Sequence, residues 1–139
     1  MDPAEIARRC ADAMYADDAA SQRLGIEISD VAPGAATARM TIRDDMVNGH
    51  AICHGGYVFI LADTAFAFAC NTYDDRTVAA GADVSFLEPV AAGARLTAVA
   101  QERTRRGRSG LYDVTVTRDD GTVVAEFRGR SRSLGKTML

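Results

Sequence analysis

The sequence predicts an α+β fold in which an antiparallel β-sheet wraps around one long central α-helix, with an extra helix at the N-terminus. Segment 55–71 is apolar almost all round and contains no proline. Strand-like stretches, in which apolar and polar residues alternate, stand on both sides of it. A helix that is apolar on every face must be enclosed, and the strands are the elements available to enclose it.

The composition predicts one globular domain that spans residues 1–139. Hydrophobic residues make up 47% and charged residues 25% of the chain, values that argue against a disordered or fibrous protein. The net charge of -3 argues against nucleic acid as a partner.

We expect neither a membrane-spanning segment nor a secretory signal peptide in this chain. Its first residues lack the basic start and apolar core of a signal peptide, and the central apolar run is too short for a membrane span. Cys10, Cys53 and Cys70 form an odd set without a pairing pattern. We therefore expect reduced thiols and a cytoplasmic location.

The N-terminal segment 1–23 is predicted to form one helix over 3–22, with Pro3 near its start and Gly25 beyond its end. Turn signals at Pro33–Gly34 and Asp120–Gly121 separate the strands that they connect. The predicted strands are 24–32, 35–43, 77–88, 94–105, 110–118 and 122–133.

The last residues, 135–139, are predicted to be a mobile tail. A sheet that curls around a single apolar helix is the hotdog architecture.

Asp63 is the most informative residue of the central helix, because it is the only charged residue between Tyr57 and Cys70. An ionised carboxylate in apolar surroundings is costly unless it is paired or used. A cluster of polar residues and glycines at 48–56 opens the same helix. These two adjacent features predict the functional site.

Four segments resemble the hotdog-fold thioesterases of phenylacetic acid degradation, the PaaI type. They are NGHAICHGG at 48–56, LADTAFA at 61–67, FLEP at 86–89 and FRGRS at 127–131. The resemblance implies an acyl-CoA thioesterase for aromatic acyl groups such as phenylacetyl-CoA or hydroxyphenylacetyl-CoA. It also implies a homotetramer built from dimers, and no cofactor besides the coenzyme A of the substrate.

The start of the central helix suits a thioester carbonyl, because free N–H groups and a positive dipole end lie there. Gly55 and Gly56 carry no side chain, so a substrate can approach them closely. The resemblance implies the Gly55 N–H as oxyanion donor. Asn48 offers an amide to orient water or the carbonyl, and His54 either shapes the loop or donates near the thioester.

Asp63 is the predicted base or nucleophile, and its surroundings favour a raised pKa. The sequence leaves direct attack and water activation open. Thr64 adds a neighbouring hydroxyl. Phe66, one helical turn away, is the predicted contact for an aryl group.

Spacing predicts that the active site is shared between two chains. Asp63 follows Gly55 by eight residues, which is about 12 Å of rise along a helix. A base must lie within about 3 Å of its proton, or act through one water. An antiparallel second helix would bring the Asp63 of one chain to the Gly55 of the other.

Four arginines are predicted to bind the phosphates of coenzyme A, because arginine is a good phosphate ligand. They are Arg106, Arg108, Arg128 and Arg130. The alternative is a solvated strand face on which these arginines pair with acidic residues.

Other interpretations start from the same residues. Asp63 could be a structural carboxylate, and His50, Cys53 and His54 invite a metal or a Cys–His dyad, although no metal is expected from so few ligands. The Asp-x-x-x-x-His pattern of hotdog hydratases is absent, since Phe68 stands at that position. A non-catalytic acyl-CoA-binding domain and a short- or medium-chain thioesterase remain alternatives.

Overall fold

A computed structural model describes all residues, Met1–Leu139, and confirms the predicted fold class. Three helices are formed: α1 (Pro3–Ala16), α2 (Ala19–Leu24) and α3 (Gly55–Cys70), with a short 3-10 helix at Asp44–Met46. Six strands are formed: β1 (Glu27–Ala32), β2 (Ala35–Thr41), β3 (Thr77–Phe86), β4 (Arg95–Arg106), β5 (Ser109–Arg118) and β6 (Val123–Ser133).

The strands form one antiparallel sheet in the order β1-β2-β4-β5-β6-β3, so β1 and β3 are its two edges. Helix α3 lies across the sheet and contacts every strand of it. The core forms where they meet, with Leu61 and Phe68 of α3 against Met40, Leu96 and Val114 of the sheet. Burying side chains of this size contributes about 1.5–3 kcal/mol each. No helix is long and apolar enough to cross a membrane.

The predicted N-terminal helix over 3–22 is two helices, and this correction has a local cause. The chain breaks at Asp17–Asp18, where the Asp18 carboxylate accepts the Ser21 N–H at 3.0 Å and caps α2. Gly25 closes α2 with φ 70, a left-handed conformation that suits glycine. As a result β1 starts at Glu27, later than the predicted position 24.

The C-terminal segment predicted to be mobile makes defined contacts. The N–H groups of Met138 and Leu139 both donate to one oxygen of Asp74 at 2.9 Å. Arg76 N–H donates to the Lys136 carbonyl at 2.8 Å. These bonds join the tail to the loop that follows α3.

Gly129 in β6 lies directly against the side chain of Phe66 from α3. A Cβ added there would lie 2.8 Å from ring atoms of Phe66, which is buried. The missing side chain therefore lets the Phe66 ring reach the sheet, where it also packs on Tyr112 and Phe127.

We expect Gly129→Ala to lower the free energy of unfolding by about 1–3 kcal/mol, because the methyl group overlaps the Phe66 ring. Urea unfolding measures the loss. Gly49→Ala is the matched control, since nothing lies within 4 Å of a Cβ at that position. Adding Phe66→Leu to Gly129→Ala should recover part of the loss, and purely additive effects would contradict this packing.

Candidate functional site

The start of α3 presents one free backbone donor. His54 is the N-cap, and its Nδ1 accepts the Gly56 N–H at 2.9 Å. A neutral His54 imidazole therefore carries its proton on Nε2. No acceptor in the chain takes the Gly55 N–H. The cap thus satisfies the neighbouring donor and leaves Gly55 N–H available at the positive end of the helix dipole.

Asn48 organises the loop before α3. Its side-chain oxygen accepts the N–H groups of His50 at 2.9 Å and Ile52 at 3.4 Å. Ala51 adopts φ 59, which is uncommon for a residue with a side chain and is typical of constrained functional loops. The amide nitrogen of Asn48 is left without a partner, so it is free to donate to a ligand.

Asn48 and Gly55 line the same cavity, which has a volume of about 390 Å³. This size lies within the range of small-molecule sites. The remaining lining residues are Ile52, Cys53, Val58, Phe86, Leu87, Glu88, Pro89, Val90 and Val124. The free N–H and one amide therefore face a mostly apolar cavity.

Asp63 has no partner in its own chain. Neither an ion pair nor a hydrogen bond reaches its carboxylate, and burial alone raises its pKa above the ordinary aspartate value. It does not line the cavity at Gly55. A half-buried, unpaired carboxylate of raised pKa has the properties of a general base or nucleophile.

Asp63 lies on the face of α3 that the sheet leaves uncovered. Gly56, Ile60, Asp63 and Ala67 recur at helical spacing and are all partly or fully exposed, whereas the residues between them are mostly buried. This uncovered stripe, defined by these four residues, is apolar except for the carboxylate.

Thr64 and Phe66, two predicted substrate contacts, are placed in the interior instead. The Thr64 hydroxyl donates to the Ile60 carbonyl at 2.6 Å. Phe66 is only 1% exposed. The contact between Phe66 and an aryl group stays a prediction that this burial does not support, because the sheet covers the helical face on which Phe66 lies.

The four predicted phosphate-binding arginines fall into two pairs. Arg128 forms two hydrogen bonds with Asp113, at 2.6 and 2.8 Å, and Arg130 contacts Asp83 at 2.9 Å. The Arg128 bond holds the pKa of Asp113 below its ordinary value. These two arginines therefore pair with acidic residues on neighbouring strands, which is the arrangement that the alternative interpretation describes.

Arg106 and Arg108, at the β4–β5 turn, form no ion pair within the chain. Nearby, the Arg105 guanidinium stacks 3.8 Å from the centre of the Tyr73 ring. The turn therefore has cationic groups that are not neutralised by acidic side chains.

Phe86 is a site residue that the sequence-based assignment omitted. Its ring lies beside Gly55, with Cζ 3.2 Å from the position that a Cβ would occupy there. The FLEP segment contained the signal, because a large aromatic residue directly before a proline-bounded connection is poorly placed to be core. No cluster of three or more His, Cys, Asp or Glu side chains is arranged to hold a metal ion.

The chain matches known proteins over most of its length. Residues 50–125 match the family model described as the Thioesterase superfamily. The acyl-coenzyme A thioesterase PaaI of Escherichia coli is 44% identical over 128 residues, which cover 92% of this chain and 91% of the relative. A putative esterase of Deinococcus radiodurans is 39% identical over 76% of this chain and 73% of its own length.

Solved structures agree with these matches. The E. coli PaaI protein from the phenylacetic acid degradation operon superimposes with a TM-score of 0.97 at 42% identity, over 99% of this chain and 100% of that one. A mutant of the phenylacetic acid degradation protein PaaI from Thermus thermophilus gives a TM-score of 0.79 at 36% identity, over 82% of this chain and 97% of that one. The chain therefore belongs to the thioesterase superfamily and, within it, to the PaaI-type acyl-coenzyme A thioesterases.

Proposed function

We propose that this protein hydrolyses aromatic acyl-CoA thioesters, of the phenylacetyl-CoA or hydroxyphenylacetyl-CoA type, in phenylacetate catabolism. The observation that carries the proposal is the free Gly55 N–H in an apolar cavity, on a helix that also bears the partnerless Asp63. The E. coli relative bears the name acyl-coenzyme A thioesterase, and its structure comes from the phenylacetic acid degradation operon.

The two sheet edges differ in a way that supports a dimer through β3. Strand β1 has six residues and contacts α1, and both features oppose pairing with another strand. Strand β3 has ten residues, and Val78 near its start is 45% exposed. A two-fold axis at β3 would extend the sheet and set two copies of α3 side by side.

In this arrangement each uncovered stripe meets its antiparallel copy. The helices run in opposite directions, so the partner's Asp63 lies near Gly55 of the first chain. The stripe is then buried, and the Asp63 carboxylate of each chain lies next to the substrate bound at the other chain's Gly55. Two active sites result, each built from both chains, and two such dimers form the proposed tetramer.

The proposed reaction uses one group from each chain. The thioester carbonyl oxygen accepts the Gly55 N–H, which stabilises the negative charge that develops on it. The partner's Asp63 either takes a proton from an attacking water or attacks the carbonyl itself. The carbon–sulfur bond then breaks, and the coenzyme A thiolate leaves and takes up a proton. After direct attack the acyl group is held on Asp63 as an anhydride, and a water hydrolyses this anhydride to release the free acid and restore the carboxylate. Asn48 is proposed to orient the water or the carbonyl.

Arg106 and Arg108 are the proposed ligands of the coenzyme A phosphates, because their charges are not engaged elsewhere. Gly56 is proposed to keep the helix start open to the thioester. The free, buried thiols of Cys10, Cys53 and Cys70 support a cytoplasmic location.

We expect Asp63→Asn to lower kcat by about 10²-fold or more, because the base is removed. Thiol release from a panel of phenylacetyl-, hydroxyphenylacetyl-, benzoyl- and straight-chain acyl-CoAs measures kcat for both proteins.

For the wild type, the acid limb of the pH profile of kcat/KM should lie above the ordinary aspartate pKa, since burial raises the pKa of Asp63 and only the ionised carboxylate acts as base. Asp119→Asn, in an exposed turn, is the matched control. A wild type that binds these thioesters without turnover would indicate an acyl-CoA-binding domain instead.

Asp63→Asn should also raise the free energy of unfolding at pH 7–8, by about 0.5–2 kcal/mol. The raised pKa means that the folded wild type holds its proton more tightly than the unfolded chain, so its stability falls as pH rises through that pKa. The gain should vanish below about pH 4, where both states are protonated. A destabilised Asp63→Asn at neutral pH would instead identify a structural carboxylate.

Gly55→Pro tests the oxyanion donor, because proline lacks the N–H yet is favoured at the first helical position. His54 has φ -60 and ψ 131, which a following proline accepts. We expect about a 10²–10³-fold loss of kcat. Gly55→Ala, which keeps the N–H and places its Cβ against Phe86, should lose much less.

Mixing the Gly55→Pro and Asp63→Asn chains tests whether the sites are shared. Refolding an equal mixture should restore about a quarter of wild-type activity, because half of the dimers are mixed and each has one intact site. Activity no greater than the sum of the two variants would contradict a shared site.

If Arg106 and Arg108 bind the coenzyme A phosphates, their mutation and that of Arg128 and Arg130 should have different effects. Arg106→Ala with Arg108→Ala should raise KM for acyl-CoA by roughly 10-fold with kcat unchanged, and added salt should reduce the difference. Arg128→Ala with Arg130→Ala is the matched control and should affect urea unfolding more than KM. The reverse pattern would place the phosphates on β6.

A further inference from the structure

We propose that Phe86 selects the aromatic acyl group, an inference that rests on the proposed function and adds the residue that sets its specificity. Phe86 ends β3, whereas Gly55 begins α3, so the fold brings together two residues that are distant along the chain. Their contact places a ring directly beside the proposed oxyanion donor.

The position of the ring follows from its distances to Gly55. The Phe86 ring atoms Cζ, Cε1 and Cε2 lie 3.2, 3.4 and 3.6 Å from the place of a Cβ on Gly55. The outer edge of the ring therefore lies against Gly55, the residue that carries the proposed oxyanion donor. The side chain is 55% exposed, so a large part of the ring is free to contact a ligand.

Phe86 is the only aromatic residue among the residues that line the cavity. The apolar wall is otherwise aliphatic, formed by Ile52, Val58, Val90 and Val124 with their neighbours. Apolar walls of this kind bury any acyl chain of suitable size, in proportion to its area. They do not by themselves distinguish an aryl group from an alkyl group.

A ring in the wall makes that distinction. Aromatic pairs gain an edge-to-face or offset contact beyond the burial of their area, and a straight alkyl chain does not. In an arylacetyl thioester, one carbon separates the ring from the carbonyl. A carbonyl held at Gly55 therefore brings the substrate ring to the part of the wall where Phe86 stands.

The other aromatic residues near the helix do not compete for this role. Phe66 is enclosed by Gly129, Tyr112 and Phe127. Phe59 packs edge-on against Phe127, at 5.5 Å between ring centres. Neither residue lines the cavity.

Phe86→Leu is the main test, because leucine keeps an apolar side chain and removes the ring. We expect the ratio of kcat/KM for phenylacetyl-CoA to that for hexanoyl-CoA to fall about 3- to 10-fold. Leu87→Ala is the matched control, since Leu87 is the next residue, lines the same cavity and is similarly exposed. It should lower both values alike and leave the ratio unchanged. An unchanged ratio in Phe86→Leu, with urea unfolding and oligomer mass as in the wild type, would overturn the proposal.

A binding measurement separates this inference from the proposed reaction. Calorimetry in the Asp63→Asn background gives the Kd values of phenylacetyl-CoA and hexanoyl-CoA without turnover. Phe86→Leu should weaken phenylacetyl-CoA about 3- to 10-fold more than hexanoyl-CoA. If the wild type hydrolyses no thioester but this difference is found, the reaction fails and the role of Phe86 stands. Equal weakening of both ligands would overturn it.

Discussion

The rest of the structure depends on one carboxylate that has no partner in its own chain. Asp63 lies on a helix that is otherwise apolar, and burial raises its pKa without a compensating hydrogen bond or ion pair. A purely structural core would replace such a residue or pair it, because an unpaired buried charge is costly. The sheet covers the other faces of α3 and leaves this one uncovered. The unpaired carboxylate therefore lies on the face where, in the proposed dimer, a second chain and a substrate would meet it.

The direction of α3 is the reason for proposing an active site that is shared between two chains. The positive end of the helix dipole and the free Gly55 N–H lie at one end, and Asp63 lies about 12 Å further along the axis. A rigid helix cannot bring these two groups together. The proposed two-fold axis would, because it reverses one helix against the other, and it would form both sites in the same step that buries the uncovered stripe. In this proposal assembly and catalysis depend on the same face of α3.

The sequence predicted the features that are local in the chain. Helix α3 was predicted within one residue of its observed end, and its start at Gly55 follows directly on the polar, glycine-containing cluster that the sequence singled out. The single N-terminal helix was wrong, because the Asp18 cap outweighed the apolar pattern that continued past it. Features that depend on strand register were not predictable. Arg128 stands between Asp113 and Asp83 only once β5, β6 and β3 are aligned.

Phe66 and Phe86 show the same limit of sequence-based prediction, and the position of Phe86 also bears on why residue 55 is a glycine. Helical spacing placed Phe66 near Asp63, but only the tertiary structure shows that Gly129 makes room for its ring inside the core. At Gly55 the backbone φ is not positive, so backbone conformation does not explain the glycine. The exposed Phe86 ring crowds this position instead. A Cβ there would lie 3.2 Å from Cζ of the Phe86 ring, so that an alanine would press on the ring and a larger side chain would meet it more strongly. In the proposed site, glycine at this position would serve two purposes, because it would open the N–H to the carbonyl oxygen and keep the Phe86 ring close to the acyl group.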